Sequence, residues 1–88
     1  MPNTAQLVNL ARFTKKLPAN AKGNIQTRAL PNRGMAVQAV SAGRATGSYA
    51  VYEKQIDNQG ITVQCTKTTY DRFGNIISMK DKLTGGVL

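Results

Sequence analysis

The side chains able to do chemistry gather in one stretch, SYAVYEKQIDNQGITVQCTKTTYDRFGNIISMKDK, residues 48–82. They are lysines, tyrosines and threonines, because the 88-residue chain contains no histidine. Imidazole acid–base catalysis and a Ser-His-Asp triad are therefore excluded, and any catalysis falls to Lys, Arg, Tyr, Thr or carboxylates. The single cysteine, Cys65, allows no internal disulfide and no cysteine-based zinc site. Its expected role is that of a small buried apolar residue. Glu53, Asp57, Asp71 and Asp81 are spread through strand edges and turns, whereas a hard cation needs converging oxygens. No metal and no cofactor is expected.

Spacing says which of these side chains meet. The stretch alternates apolar and polar residues with period two, and turns punctuate it at Asn58-Gln59-Gly60 and at Asp71-Arg72-Phe73-Gly74. With Asp57 opposite Ile61, Tyr52 falls opposite Thr66; with Asp71 opposite Asn75, Thr66 falls opposite Lys80. One face then carries Tyr49, Val51, Ile61, Val63, Cys65, Ile77 and Met79, an oily face for helices to cover. The other carries Tyr52, Lys54, Thr62, Gln64, Thr66, Thr68, Tyr70, Ser78, Lys80 and Lys82. Two rows cross it, Tyr52–Thr66–Lys80 and Lys54–Gln64–Lys82. Ammonium groups suit phosphate oxygens, tyrosine rings stack on bases, and hydroxyls bond to sugars or phosphates. An open sheet of this kind fits single-stranded RNA better than duplex DNA, whose major groove takes an inserted helix or ribbon.

The whole chain agrees in sign. Twelve Lys and Arg against four Asp and Glu give a net charge of +8, which favours a polyanionic partner: nucleic acid, an anionic membrane or an acidic protein. No run is long enough to span a bilayer. The length implies one domain, residues 1–88, with a small core.

The segments before this stretch have helix and loop signals of their own. Residues 4–17, TAQLVNLARFTKKL, form a helix with Thr4 as N-cap and Leu7, Leu10, Ala11 and Leu17 near one face. Arg12, Lys15 and Lys16 read as a solvated face that suits the helix dipole, and Pro18 stops the helix. Residues 18–47 read as loop and a short helix. Pro18, Gly23, Pro31 and Gly34 mark the loop, which is long enough to be functional or to hide a helical turn. Residues 34–42, GMAVQAVSA, read as the short helix, closed by Gly43. Residues 48–82 form the sheet. The fold class is thus α+β: one or two N-terminal helices packed on a three- to four-stranded antiparallel meander.

The run GSYAVYEKQIDNQGITVQCTKTTYDRFGNIISMKDK resembles the C-terminal toxin domains of bacterial polymorphic toxins, of the contact-dependent inhibition and Rhs types. The resemblance covers roughly residues 30–84. Many small basic members are ribonucleases of the barnase/EndoU/colicin/RelE-like fold, in which N-terminal helices pack on an antiparallel sheet. RGMAVQAVSAGRATGSY is similar to the helix-to-strand entry of a tRNA-cleaving colicin domain, with Arg33-Gly34 before the helix and Gly43 closing it. The string YDRFGN resembles the core of an Rhs-type YD repeat but reads better as a single hairpin turn. Sequences that this run resembles often carry a histidine in the last strand, near Ser78-Met79; this chain has none, which implies either a different chemistry or a weakened or inactivated copy.

The resemblance implies a metal-independent endoribonuclease acting on tRNA or other RNA by transesterification. Attack of the 2′-OH on the adjacent phosphate leaves a 2′,3′-cyclic phosphate and a 5′-OH, which requires a base, an acid and a charge stabiliser. Lys80, with Lys54 and Lys82 nearby, is the acid–base candidate. Arg28 or Arg33 would clamp the phosphate, and Thr66, Thr68 and Tyr52 would orient the nucleotide. Lys54, Lys67, Thr68, Tyr70 and Lys82 are the expected RNA contacts. The resemblance further implies carriage at the end of a larger secreted toxin, delivery to a target-cell cytoplasm, and an acidic cognate immunity protein. A non-catalytic basic nucleic-acid-binding module and a protein-interaction domain are the alternatives.

Overall fold

The computed structural model describes residues 2–21, 25–43 and 46–82. It contains one α-helix, α1 (Thr4–Lys16), and five strands: β1 (Ile25–Ala29), β2 (Met35–Ala42), β3 (Tyr49–Ile56), β4 (Thr62–Tyr70) and β5 (Ile76–Asp81). The strands pair antiparallel in chain order, so β1 and β5 are the edges of a five-stranded meander. The α+β class and the meander are as expected. The strand count is larger, because the region read as loop and second helix supplies two more strands.

The expected helix over residues 34–42 is strand β2. Its alanines and Gln38 favour a helix, but both of its edges pair in the sheet, with β1 and β3. Met35, Val37 and Ala39 are buried on the helix side, and Ala36 is buried on the opposite side. Tertiary packing of this kind overrides propensity. Arg33-Gly34 and Gly43 therefore bracket a strand, so the expected likeness to a helix-to-strand entry fails there. The expected loop holds β1 and two short 3-10 turns, Ala19–Ala21 and Pro31–Arg33. In the second turn Asn32 and Arg33 both take positive φ, at 60° and 63°. Gly23 of the expected loop lies outside the described residues, as do residues 22, 24, 44–45 and 83–88.

Helix α1 is held by a polar stripe leading into an apolar one. Its N-cap is Asn3 rather than Thr4: the Asn3 side chain accepts from the Gln6 N–H (2.9 Å) and the Gln6 side chain accepts from the Asn3 N–H (3.0 Å). Gln6, only 2% exposed, also donates from Nε2 to the carbonyls of Arg33 and Asp57, each at 2.9 Å. Asn9 donates to the Gly60 carbonyl (2.8 Å) and to Thr62 Oγ1 (2.9 Å). Gly60, at φ 83°, allows this approach, since a Cβ there would collide with Ala5. Further along, Phe13 and Leu17 join Met35, Val37, Ala39, Ile56 and Ala21 in the core, with Leu10 beside them. The buried stripe is thus Gln6–Asn9–Phe13–Leu17. Leu7 and Ala11, expected inward, face solvent, Leu7 being 50% exposed.

Both β-hairpins after residue 48 use one device. In each turn an aspartate carboxylate accepts from the N–H groups two and four residues on: Asp57 from Gln59 and Ile61 (2.9 Å each), Asp71 from Phe73 (2.8 Å) and Asn75 (2.9 Å). Asp57 N–H donates to Ile61 and Asp71 N–H to Asn75, so the expected closing pairs are present. A bulge then follows. Ile56 pairs with Thr62 but Gln55 with Gln64, which skips Val63; Tyr70 pairs with Ile76 but Thr69 with Ser78, which skips Ile77. Each bulged residue is the sixth after its turn aspartate, and each is exposed, Val63 at 54% and Ile77 at 61%. The bulges offset the register of β4 by one residue on both sides and turn its side chains over.

Hydrogen bonds from Asn75 and Phe73 hold the Asp71 carboxyl below its ordinary 3.8. A carboxylate lowered in the folded state adds stability above the ordinary value and loses it as pH falls through the lowered one. Asp71→Asn should therefore flatten the acid limb of a Tm–pH curve below about pH 4. An acid limb identical to that of the parent would remove Asp71 from the turn's stability.

Candidate nucleic-acid interface

The inverted β4 reassigns the two faces. On the helix side, β2 contributes Val37 and Ala39, which pair with Lys54 and Tyr52 of β3; these pair in turn with Cys65 and Lys67 of β4. Lys67 then pairs with Lys80 of β5, and the Lys82 N–H donates to the Cys65 carbonyl at 2.7 Å. The rows that cross the sheet are therefore Tyr52–Lys67–Lys80 and Lys54–Cys65–Lys82. Their ends are as expected, but their centres are Lys67 and Cys65 in place of Thr66 and Gln64. The rows lie on the side that α1 occupies, not on the bare side.

Helix α1 packs over β2 and β3, and the sheet continues past it as a shelf formed by β3, β4 and β5. The helix wall contributes charge as well. Lys16 and Arg12 act electrostatically on Lys54, and Lys16 acts on Cys65. Arg12, Lys16, Lys54, Lys67, Lys80 and Lys82 thus share one shelf. Burial pulls Lys54 below the ordinary lysine value, Lys16 and Arg12 pull it further, and Cys65 opposes them. Burial pushes the Cys65 thiol up, against the pull of Lys54, Lys82 and Lys16 and with the push of Asp81. Cys65 is half-buried on this shelf rather than sealed in a core.

The Lys67 ammonium sits 5.4 Å from the centre of the Tyr52 ring. Tyr52 packs against the core and lies beneath the Lys67 ammonium. It therefore supports Lys67 instead of offering a bare stacking surface.

No known protein family, curated protein or solved structure matches this chain. The arrangement of its own residues is what carries a functional reading.

The expected site residues divide. Tyr52, Lys54, Lys67, Lys80 and Lys82 come together on the shelf. Thr66, Thr68 and Tyr70 lie on the opposite face, where Thr66 pairs with Glu53 and Asp81, Thr68 is buried, and Tyr70 stacks on Tyr49 with ring centres 5.0 Å apart. Lys80 and Thr66 are therefore on contrary sides of the sheet and cannot share one substrate phosphate, as the expected row required. Arg28 also leaves the site, because it bonds Glu53 at 2.8 Å on that far face. Arg33 lines a separate cleft of about 580 Å³ with Asn3, Gln6, Thr27 and Arg28. The expected oily face is corrected too: Tyr49, Val51 and Met79 point away from the helix, while Ile61 and Val63 are exposed. Arg12 and Lys16, read from sequence as a solvated face, are the shelf's wall. Their helical spacing of four was the one available signal.

Among the described residues no group of His, Cys, Asp and Glu could hold a metal ion. No described helix is long and apolar enough to cross a membrane. Two of the four acids, Glu53 and Asp81, are on the far face, and the other two cap turns. Charge is therefore segregated by sheet face, with the helix side strongly positive.

Proposed function

We propose that the shelf binds single-stranded RNA and that the protein cleaves it by metal-independent transesterification. The observation that carries this reading is the pairing of Lys67 directly across from Lys80 on an open strand pair. Like charges in that relation cost stability, and four further cations surround them without a carboxylate between the strands. A run of phosphates removes that repulsion and is rewarded by counterion release. RNA offers what DNA lacks, a 2′-OH nucleophile beside each phosphate, so a shelf of ammonium groups is enough to stabilise the developing charge. The resemblance of roughly residues 30–84 to polymorphic-toxin domains implies the same reaction, with tRNA as the favoured target. On that reading the domain rides at the end of a larger secreted toxin, works in the target-cell cytoplasm, and is restrained by an acidic immunity protein seated on the shelf.

The test is incubation of the chain with total tRNA in EDTA, followed by analysis of the new ends, alongside an affinity series in salt. Fragments with 2′,3′-cyclic phosphate and 5′-OH ends are expected. If all six cations meet phosphates, the slope of log K against log salt should approach about −4. Bound but intact RNA would overturn cleavage and leave a nucleic-acid-binding module. Absence of salt-sensitive affinity would overturn both and favour a protein-interaction domain.

A further inference from the structure

We propose that Lys54 is the base that takes the 2′-OH proton, while Lys67 and Lys80 hold the phosphate and protonate the leaving oxygen. This rests on the ribonuclease reading and reassigns the acid–base role within it. Lys54 differs from the other shelf lysines in where its strand puts it. It lies on β3, paired on one side with Val37, which has no exposure at all, and on the other with Cys65. Ile56, two residues on and on the same face, is equally sealed. Lys54 thus rises from the margin of the apolar core where the wall of α1 meets the floor. Lys80, on edge strand β5, is exposed.

Burial acts most strongly on Lys54; among its neighbours Cys65 of β4 raises it, and Lys16 and Arg12 of α1 lower it. Cys65 itself feels Lys82 and Asp81 of the β5 segment. Burial, with Lys16 and Arg12, disfavours the ammonium form of Lys54. General base catalysis needs a neutral amine, and burial at the margin of the core favours that form.

The steps balance. The neutral Lys54 amine accepts the proton of the 2′-OH as the 2′-oxygen attacks phosphorus. The bond from phosphorus to the 5′-oxygen breaks, and the departing oxygen takes a proton from the ammonium of Lys80 or Lys67. The products are a 2′,3′-cyclic phosphate, a 5′-OH, a protonated Lys54 and one neutral lysine. Exchange of one proton each with water restores the starting state, and no co-reactant is consumed.

Lys54→Arg separates charge from proton transfer, because a guanidinium does not deprotonate near neutral pH. In the full chain it should bind a labelled single-stranded RNA within about threefold of the parent. Its single-turnover cleavage of tRNA should fall about 10²–10⁴-fold. Lys54→Cys in a Cys65→Ala background, alkylated with 2-bromoethylamine, rebuilds a lysine-like side chain with a less basic amine. Cleavage should return, with the rising limb of the pH–rate profile moved to lower pH. Matched unfolding temperatures for the Arg variant and the parent guard against misfolding, and the alkylated protein gives a second readout if they differ. Cleavage by Lys54→Arg within tenfold of the parent, or a pH limb unmoved by alkylation, would overturn the role of Lys54 alone. A parent that binds RNA and never cuts it would overturn the ribonuclease reading and this role together.

Discussion

Lys80→Glu should weaken RNA binding about 100-fold at low salt while raising the unfolding temperature. The two effects share one cause. Lys80 lies directly across from Lys67 on the shelf, and a like-charge cross-strand pair costs about 0.2–1 kcal/mol. Glutamate at position 80 turns the repulsion into attraction, so the RNA-free fold gains. RNA binding loses a charge-assisted contact of about 1.5 kcal/mol and acquires a repulsion of similar size, about 3 kcal/mol together. The salt slope should also become shallower by about 0.7 for the lost phosphate contact. Arg72→Glu changes the net charge equally, but in the β4–β5 turn, where the side chain lies over Phe73 at 4.8 Å. It should cost far less affinity. Equal losses for the two variants would mean that net charge, not the shelf, attracts RNA.

Gln6→Ala should be the most damaging change to stability that touches neither the apolar core nor the shelf. Its side chain closes the capping box on Asn3 and donates to the carbonyls of Arg33 and Asp57, tying the start of α1 to two separate turns. Loss of a cap costs about 0.5–2 kcal/mol, and loss of each part-buried hydrogen bond about 0.5–1.5 kcal/mol, the Asp57 carbonyl keeping the Gly60 N–H as a donor. A total of about 3 kcal/mol should lower the Tm of a domain this size by more than about 10 °C. Gln6→Glu should be no better, although it keeps the shape, because a carboxylate at neutral pH accepts and does not donate. Since α1 supplies Arg12 and Lys16 to the shelf, both variants should also bind RNA with a shallower salt slope. A Gln6→Ala protein melting within a few degrees of the parent would show that Phe13 and Leu17 alone dock the helix.

What the sequence makes legible is the local chemistry. The Asp-x-x-Gly turns at 57–60 and 71–74, the helix over 4–16 and the three later strands all follow from turn residues and periodicity. What hides is the long-range pairing. A bulge at Val63 or Ile77 leaves no mark, because both residues are aliphatic and sit in strands whose alternation reads well in either phase. In TVQCTKTTY both the odd and the even positions are of middling polarity, so hydrophobic patterning alone does not fix its facing. Two bulges restore the phase in β5, so Lys80 and Lys82 rejoin Tyr52 and Lys54 while β4 alone is inverted. The strand Met35–Ala42 hides for a different reason: Met35, Val37, Ala39 and Ser41 fill its core face, but Ala36, Val40 and Ala42 on the other face blur the alternation, and its alanines satisfy a helix equally well. The Gln6–Asn9 stripe hides because its two buried members are amides, which composition places outside.

The claim on which the rest depends is that β4 presents Lys67 and Thr69, rather than Thr66 and Thr68, to the surface that binds RNA. Its most direct test is an NMR titration with a short single-stranded RNA that follows side-chain signals: the ammonium groups of Lys54, Lys67 and Lys80, the guanidinium of Arg28, and the threonine methyls. The lysine signals and the Thr69 methyl should move together with one binding isotherm, while Arg28, Thr66 and Thr68 stay in place. Movement of Arg28, Thr66 and Thr68 with Lys67 and Lys80 unmoved would place RNA on the other face and contradict the account.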